Sequence, residues 1–160
     1  MPIMTTGLRA ELKQRKPFAT TEEVAFLNTL RTADHLLRGE VEVLRGADLT
    51  FPQYNVLRIL RGAGPQGLSC GDISDRMVTR DSDITRLLDR LEARDLVARG
   101  RDERDRRVVV QHISPKGLAL LKELDEPVQR VHQRHLRHMT RAQLRQLTEL
   151  LELARAGGLD

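Results

Sequence analysis

An apolar stripe followed by a charged hairpin, between Thr79 and Gly117, limits the fold of this chain more than any other feature. Its apolar side chains recur at i, i+3, i+4 and i+7, the spacing of one face of an α-helix. They are Ile84, Leu87, Leu88 and Leu91. Because that face must pack on a core, the polar side of the same helix faces outward. Its members are Ser82, Thr85, Arg86, Asp89 and Arg90.

The hairpin is predicted to follow this helix directly. Val97 to Arg99 form one strand, residues 108–113 form the other, and residues 100–106 lie between them. This tip has too few apolar side chains to pack on a core, so it is expected to project into solvent. A projecting basic tip suits a narrow, negatively charged groove such as the minor groove of DNA. Its basic residues are Arg101, Arg104 and Arg106. Nine Arg and eight acidic residues lie between positions 79 and 107, so placement rather than net charge favours a nucleic-acid partner.

The polar helix face has two explanations. Helix-turn-helix proteins place such a helix in the major groove of DNA, whereas a solvated face is the alternative for this face taken alone. The basic hairpin favours the first. Asp81 and Asp83 would repel phosphate near that end of the helix. They either complement the positive helix N-terminus or, in the case of Asp83, accept a hydrogen bond from a cytosine amino group.

Capping patterns predict the other helices. A hydroxyl residue followed three positions later by Glu, Gln or Asp marks a helix start. Such starts occur at Thr20, Thr50, Ser69 and Thr140, and Ser114-Pro115 opens a further helix. Pro127 is expected to kink or split that helix. The fold class is therefore mainly α with a small β-hairpin wing, in which residues 50–113 form a winged helix-turn-helix.

Longer apolar stripes lie on both sides of this unit, in residues 20–45 and 114–156. They are longer than a small winged domain needs to cover, so their expected partner is a second copy of the chain. Residues 1–19 are basic, contain two Pro, and are expected to form a partly ordered arm. All 160 residues are interpreted as one domain.

Composition sets the outer limits. With 39% apolar residues the chain is expected to be globular, and its single Cys excludes an intrachain disulfide. No signal peptide or apolar run of membrane length is visible, so we expect a soluble protein in a reducing cytoplasm, with no membrane contact. The pI near 9.8 fits a polyanionic partner. No phosphate-binding loop, HExxH or CxxC motif occurs, so we expect neither an enzyme nor a cofactor.

The run DRLEARDLVARGRDERDRRVVVQHISPKG, from Asp89 to Gly117, resembles the MarR (multiple antibiotic resistance regulator) family of winged helix-turn-helix repressors. The likeness extends over about residues 20–156. It implies a homodimeric repressor whose terminal helices interlock and whose two recognition helices contact half-sites of an inverted repeat in double-stranded DNA. Those half-sites should lie about 10 bp apart or a multiple of that. It also implies release from DNA by a small-molecule effector or an oxidant.

Two positions depart from the family pattern. Asp95 stands where the family usually has Gly, and Ile113-Ser114 replaces Leu-Thr. Asp can adopt the left-handed conformation that this position needs, and Ser can cap a helix as Thr does. Neither departure is expected to alter the fold.

The resulting hypothesis assigns roles to individual residues. Ser82, Thr85 and Arg86 contact bases, and Arg90 contacts a base or the backbone. The three wing arginines, Arg101, Arg104 and Arg106, enter or border the minor groove. Arg107 is predicted to pair with Asp105 and hold the shape of the wing. His35 and Tyr54 are candidates for an effector pocket, although packing alone also explains them.

Three further groups keep two interpretations each. Cys70 is a space-filling residue or a redox sensor. Three histidines form either an exposed group near the dimer seam or a metal site, with no metal the favoured expectation; they are His132, His135 and His138. Five arginines form a solvated face or a second nucleic-acid surface; they are Arg130, Arg134, Arg137, Arg141 and Arg145. The alternative for the whole chain is a winged-helix protein-interaction module without DNA binding, whose affinity would not fall steeply with salt.

Overall fold

The computed structural model describes residues 7–80, 83–102 and 104–157. Seven α-helices, a short 3-10 turn and one hairpin follow each other in this part of the chain. They are α1 (Leu8–Glu11), α2 (Thr21–Gly46), α3 (Phe51–Ala63), the 3-10 turn (Gly64–Gln66), α4 (Cys70–Arg76), α5 (Ile84–Glu92), β1 (Val97–Arg101), β2 (Val109–Ile113), α6 (Pro115–Leu136) and α7 (Arg141–Ala156). The mainly α fold with a β-hairpin wing is the one that the sequence predicts.

The predicted capping residues begin their helices. Complete capping boxes open α3, α4 and α7, with the hydroxyls of Thr50, Ser69 and Thr140 as acceptors. Thr20 caps α2 by accepting the N–H of Glu23, but the Glu23 carboxylate accepts the amide of Ala19 rather than that of Thr20. These side chains satisfy amides that a helix start leaves without a partner.

The structure corrects several predicted boundaries. Helix α5 begins at Ile84 rather than near Thr79, because the Asp83 carboxylate accepts the amide of Arg86 at 3.1 Å and defines the start. Strand β1 continues to Arg101, and β2 begins one residue later than predicted. Helix α6 passes through Pro127 without a break, so of the expected kink or split the split is wrong. Buried neighbours such as Val128 hold this helix against the core, which offsets the hydrogen bond lost at Pro127.

The core forms where α3, α4, α5, β1, α6 and the end of α2 meet. The predicted stripe lies inside it, since all four of its residues are 8% exposed or less. The hairpin strands pair antiparallel, from Val97 opposite Ile113 to Arg101 opposite Val109. Leu68 adds a bridge to the other side of β2, where it exchanges two backbone hydrogen bonds with Gln111. The wing is thereby attached to the loop before α4.

The two departures from the family pattern keep their backbone roles. Asp95 adopts a φ of 59°, in the left-handed region. The Ser114 hydroxyl donates to the Asp95 carbonyl at 2.6 Å and accepts the amide of Gly117 at 2.9 Å. One serine therefore caps α6 and fixes it to the turn that ends α5.

The terminal helices leave apolar side chains uncovered within one chain. Phe26 and Leu30 of α2 are 64% and 53% exposed, and Leu150 and Leu153 of α7 are 55% and 71% exposed. No residue of α7 is buried. Among the described residues, no helix is both long enough and apolar enough to cross a bilayer. The segment expected to be a partly ordered arm contains α1. Its Leu8 is buried, and its Glu11 carboxylate lies 2.6 Å from the Nε of Arg31 on α2.

Replacing Gly117 with Ala should destabilise the fold. A Cβ atom there would lie 2.4 Å from the Leu96 carbonyl oxygen, which is backbone and cannot rotate away. We expect the free energy of unfolding to fall by about 1–3 kcal/mol, as for other overpacked sites. Urea denaturation at a fixed protein concentration measures it. Gly62→Ala is the control, because nothing lies within 4 Å of its added Cβ; an equal loss in both variants would contradict the close-contact explanation.

Candidate nucleic-acid interface

Helix α5 presents its polar side to solvent because its apolar side is buried. Thr85, Arg86 and Arg90 are exposed. The Arg86 side chain is 71% exposed, and its Nε lies 3.5 Å from a carboxylate oxygen of Asp83. This weak, exposed contact leaves the guanidinium accessible to a larger anion. Ser82 and Asp81, the other polar residues considered near this end of the helix, lie outside the described residues.

Asp83 has a structural role at the N-terminus of α5. Its Oδ1 accepts the Arg86 amide, which is the geometry of a helix N-cap. Of the two roles that the sequence left open, the structure supports complementing the helix N-terminus. An acid at this place holds the first turn of α5 together, which offsets its repulsion of phosphate.

Arg99 connects the wing to α5. Its guanidinium hydrogen-bonds Asp89 and lies 3.0 Å from a carboxylate oxygen of Glu92, and both acids are on α5. Asp89 is therefore neutralised by β1 rather than presented alone on the outward face. Sequence reasoning missed this contact, because the direction of β1 relative to α5 was unknown. The sequence signal for this contact was the pair Asp89 and Glu92, three positions apart on a helix, followed by Arg99 in the next strand.

The wing tip is organised by Asp102. Its Oδ1 accepts the amides of Arg104 at 2.7 Å and Asp105 at 2.9 Å. These amide donors, that of Asp105 first, hold the pKa of the Asp102 carboxyl below its ordinary value. The carboxylate form is therefore favoured in the folded wing at neutral pH, and this preference is lost as pH falls through the lowered pKa. In the sequence alone, Asp102 is one of the eight acidic residues that offset the nine arginines of positions 79–107.

The predicted Asp105–Arg107 pair is a backbone contact. Asp105 Oδ1 accepts the Arg107 amide at 2.9 Å, and the carbonyl of Arg107 in turn accepts from the Arg101 guanidinium at 3.4 Å. The turn thus holds its shape without using the Arg107 guanidinium. Arg101, Arg104 and Arg106 are all exposed, and the side chains of Arg101 and Arg104 border the same pocket beside the 3-10 turn.

The C-terminal end of α5 is fixed to the turn between α2 and α3. The Arg94 guanidinium donates to the carbonyls of Ala47, at 3.1 Å, and of Asp48. Beside this contact lies a groove of about 720 Å³, whose lining includes Arg45, Phe51 and Arg90. At the other end, the side-chain oxygen Oδ1 of the buried Asn55 on α3 accepts the Val78 N–H at 2.8 Å and fixes the segment before α5.

The two effector-pocket candidates lie in different surroundings. His35 is exposed on α2, packs edge-on against His135 with ring centroids 5.1 Å apart, and borders a polar pocket of about 380 Å³. Tyr54 is 2% exposed inside the core, where burial raises the pKa of its hydroxyl and the nearby Arg58 partly opposes that rise. Tyr54 does not line the pocket that His35 borders.

The remaining candidates have specific surroundings. Cys70 is exposed at the first position of α4, so the interpretation that it fills core space is wrong. His132 Nε2 lies 2.9 Å from a carboxylate oxygen of Glu40, a nearly buried residue of α2. Within residues 7–80, 83–102 and 104–157, no three His, Cys, Asp or Glu side chains are grouped to hold a metal ion.

Known proteins are similar to this chain in sequence and fold. A model of the MarR family matches residues 47–108. The MarR transcription factor from Planctomyces limnophilus is 41% identical, with a TM-score of 0.64 over 86% of this chain and 99% of that one. CouR from Rhodococcus jostii RHA1, solved with p-coumaroyl-CoA, is 25% identical, with a TM-score of 0.71 over 86% and 95%. A mutant MarR from E. coli, solved with operator DNA, is 23% identical, with a TM-score of 0.74 over 86% and 99%, and shows the shared fold.

The chain spans about half the length of the curated relatives it matches, among them two uncharacterized HTH-type transcriptional regulators from Bacillus subtilis, YsmB and YfiV, each 35% identical over 56% and 54% of its length. The Planctomyces limnophilus structure is covered almost completely and at much higher identity than the E. coli structure. The resemblance of this chain to the Planctomyces limnophilus structure therefore extends beyond the winged unit to the flanking helices. This chain belongs to the MarR family of transcriptional regulators.

Proposed function

We propose that this protein is a homodimeric repressor that binds an inverted-repeat operator in double-stranded DNA through α5 and the wing. The observation that carries the proposal is the placement of α5. Its apolar side is buried, and Thr85, Arg86 and Arg90 remain exposed beside the arginines of the wing. Guanidinium groups pair bidentately with guanine and phosphate. Such a regulator acts in the cytoplasm, where the DNA is, and has no need of an enzymatic step.

Two contacts support a fixed spacing between helix and wing. Arg99 holds β1 to α5, and Asp102 holds the wing tip in one turn. A rigid pair of contact elements loses less conformational entropy when it binds a duplex. Arg86 is then assigned to a base edge, with Thr85 and Ser82 beside it and Arg90 on base or backbone. Arg101, Arg104 and Arg106 are assigned to the minor groove.

The proposed dimer uses the terminal helices. Their exposed apolar residues, among them Phe26, Leu30, Leu150 and Leu153, have no cover within one chain. Burying such side chains is favourable by about 1.5–3 kcal/mol each. A second copy supplies the same surface in a two-fold arrangement, which gives two recognition helices for two half-sites.

Release from DNA is proposed to follow binding of a small molecule or oxidation. The groove beside Arg90 and Arg94 supports the first route, because it joins the end of α5 to α2 and α3. A ligand there would shift the equilibrium only if it binds one spacing of the recognition helices more tightly than another. His35 and Tyr54 remain candidates for ligand contacts, and exposed Cys70 for oxidation.

The central test is selection of bound sequences from random DNA, followed by Arg86→Ala. We expect an inverted repeat among the selected sequences. The variant should lose about 1–3 kcal/mol of operator affinity and one base preference. Fluorescence titration on operator and random duplexes measures both effects. Arg38→Ala, which removes an exposed Arg paired with Asp34, is the control.

Equal losses by Arg86→Ala on operator and random DNA would remove its role in base recognition. A DNA affinity that hardly changes with salt concentration would favour the protein-interaction alternative, since phosphate contacts weaken steeply as salt rises.

The wing is tested by two substitutions of Asp102 that remove the same negative charge. Asp102→Asn keeps a side-chain oxygen to accept the amides of Arg104 and Asp105, whereas Asp102→Ala does not. We expect the Asn variant to bind operator as well as the original protein or better, and the Ala variant to bind several-fold more weakly. Tighter binding by both variants would mean that only the charge matters and the turn does not.

The dimer is tested by Leu150→Glu. A charge on this exposed apolar side of α7 should raise the dimer dissociation constant by roughly 100-fold or more, because two leucines per dimer lose their burial. Sedimentation velocity over a concentration series measures it. Thr148→Glu adds the same charge to the same helix, away from Leu150. A Leu150 variant that still dimerises like the Thr148 variant would place the interface elsewhere.

A further inference from the structure

The net positive charge of the protein is concentrated in one segment. Residues 129–148 contain five Arg and no Asp or Glu. The remaining 140 residues contain 22 basic and 23 acidic residues, so they are close to neutral. This basic segment covers the second half of α6, the following turn and the first half of α7. It does not include the recognition helix or the wing.

The basic segment lies far from the surface proposed to bind the operator. Helix α6 begins at the base of the wing, where Gly117 contacts the Leu96 backbone. It has 22 residues, so at about 1.5 Å per residue its two ends are roughly 30 Å apart. Its far end packs on α2, where His135 and Val131 contact Gly39. A straight duplex lying on α5 and the wing would not also cover this end.

The arginines of the basic segment are mostly free of carboxylate partners. Arg130 pairs with Glu126 at 3.3 Å. Among the described residues, the other four have no carboxylate oxygen within 4.0 Å; these are Arg134, Arg137, Arg141 and Arg145. Elsewhere the surface mixes charges, as in the pairs Arg31–Glu11 and Arg61–Asp125. A solvated face usually mixes both signs, so a segment without any acid indicates an anionic partner.

The spacing suits a regular row of phosphates. Arg130, Arg134 and Arg137 border one groove of about 570 Å³ between α6 and α2, and their i, i+4 and i+7 spacing places them on one face of α6. Along the helix axis, Arg134 and Arg137 lie roughly 6 and 10 Å from Arg130. Phosphates follow every ~3.4 Å of axis on each DNA strand, so these distances are close to two and three phosphate steps. Arg141 and Arg145 extend the charge onto α7. All five basic residues are Arg, which forms forked contacts with phosphate.

We propose that this basic end of α6 and α7 binds the phosphate backbone of a second DNA duplex without sequence preference. One molecule would then hold two DNA segments, an operator on α5 and the wing and a further segment at the opposite end. The bridging role rests on the proposed operator binding, but the second binding surface does not.

A capture assay tests the bridge. A selected operator duplex is immobilised and saturated with protein, and a labelled duplex without an inverted repeat is then added. We expect capture by the original protein and an at least tenfold decrease for Arg137→Ala/Arg141→Ala/Arg145→Ala, whose operator affinity should stay within about twofold. Lys13→Ala/Arg15→Ala/Lys16→Ala removes the same charge from exposed positions near α1 and should capture normally. Equal capture by the two triple variants would overturn the proposal.

A second measurement does not depend on operator binding. The Arg86→Ala protein is titrated with the same labelled duplex at several salt concentrations. Adding the three Arg137, Arg141 and Arg145 substitutions should reduce the slope of log affinity against log salt by about 2.7, the value for three phosphate contacts. An unchanged slope would overturn the second surface even where operator binding is normal. Stronger competition by polyglutamate than by duplex DNA at equal charge would also overturn it, in favour of an acidic protein partner.

Discussion

Burial of one side of α5 is the interaction on which the rest of the structure depends. Its four apolar residues are at most 8% exposed, and together they contribute roughly 6–12 kcal/mol of transfer free energy. That amount is comparable with the whole net stability of a small domain. Because this burial fixes the rotation of the helix about its axis, the polar side must face solvent. The position of the proposed recognition surface therefore follows from core packing.

Polar contacts then set the geometry around α5 without adding much stability. Exposed ion pairs such as Arg99 with Glu92 contribute little to the free energy of unfolding. Their effect is positional, because Arg99 fixes the wing and Arg94 fixes the end of the helix to the turn after α2. Asp83 and Asp102 act on shorter stretches of backbone, at the start of α5 and at the wing tip. Four charged side chains thus orient the elements that would contact DNA.

Local patterns in the sequence predicted most of the fold. Capping boxes at Thr50, Ser69 and Thr140 located three helix starts, and the left-handed backbone of Asp95 was expected from its place after α5. These features depend on neighbours a few residues apart, which a sequence displays directly. The start of α5 was placed too early, because periodicity does not show which of several acids becomes the N-cap.

Contacts between distant segments could not be predicted in the same way. The pairing of Arg99 with Asp89, of Arg61 with Asp125 and of Glu40 with His132 depends on how elements cross, not on spacing along the chain. The roles of Asp102 and Cys70 were misjudged for a related reason. The role of Asp102 depends on the conformation of the wing turn, and that of Cys70 depends on which side of α4 faces solvent. Neither is visible in the sequence.

No residue of α7 is buried within one chain, so in the proposed dimer the stability of this helix depends on protein concentration. A 16-residue helix is near the length at which isolated helices are only marginally stable in water. In a dilute, newly made chain α7 would therefore fray and be open to proteases, and the proposed dimerisation would order it. The amount of the proposed dimer would then rise more steeply than the amount of chain synthesised, which would set a threshold at low copy number.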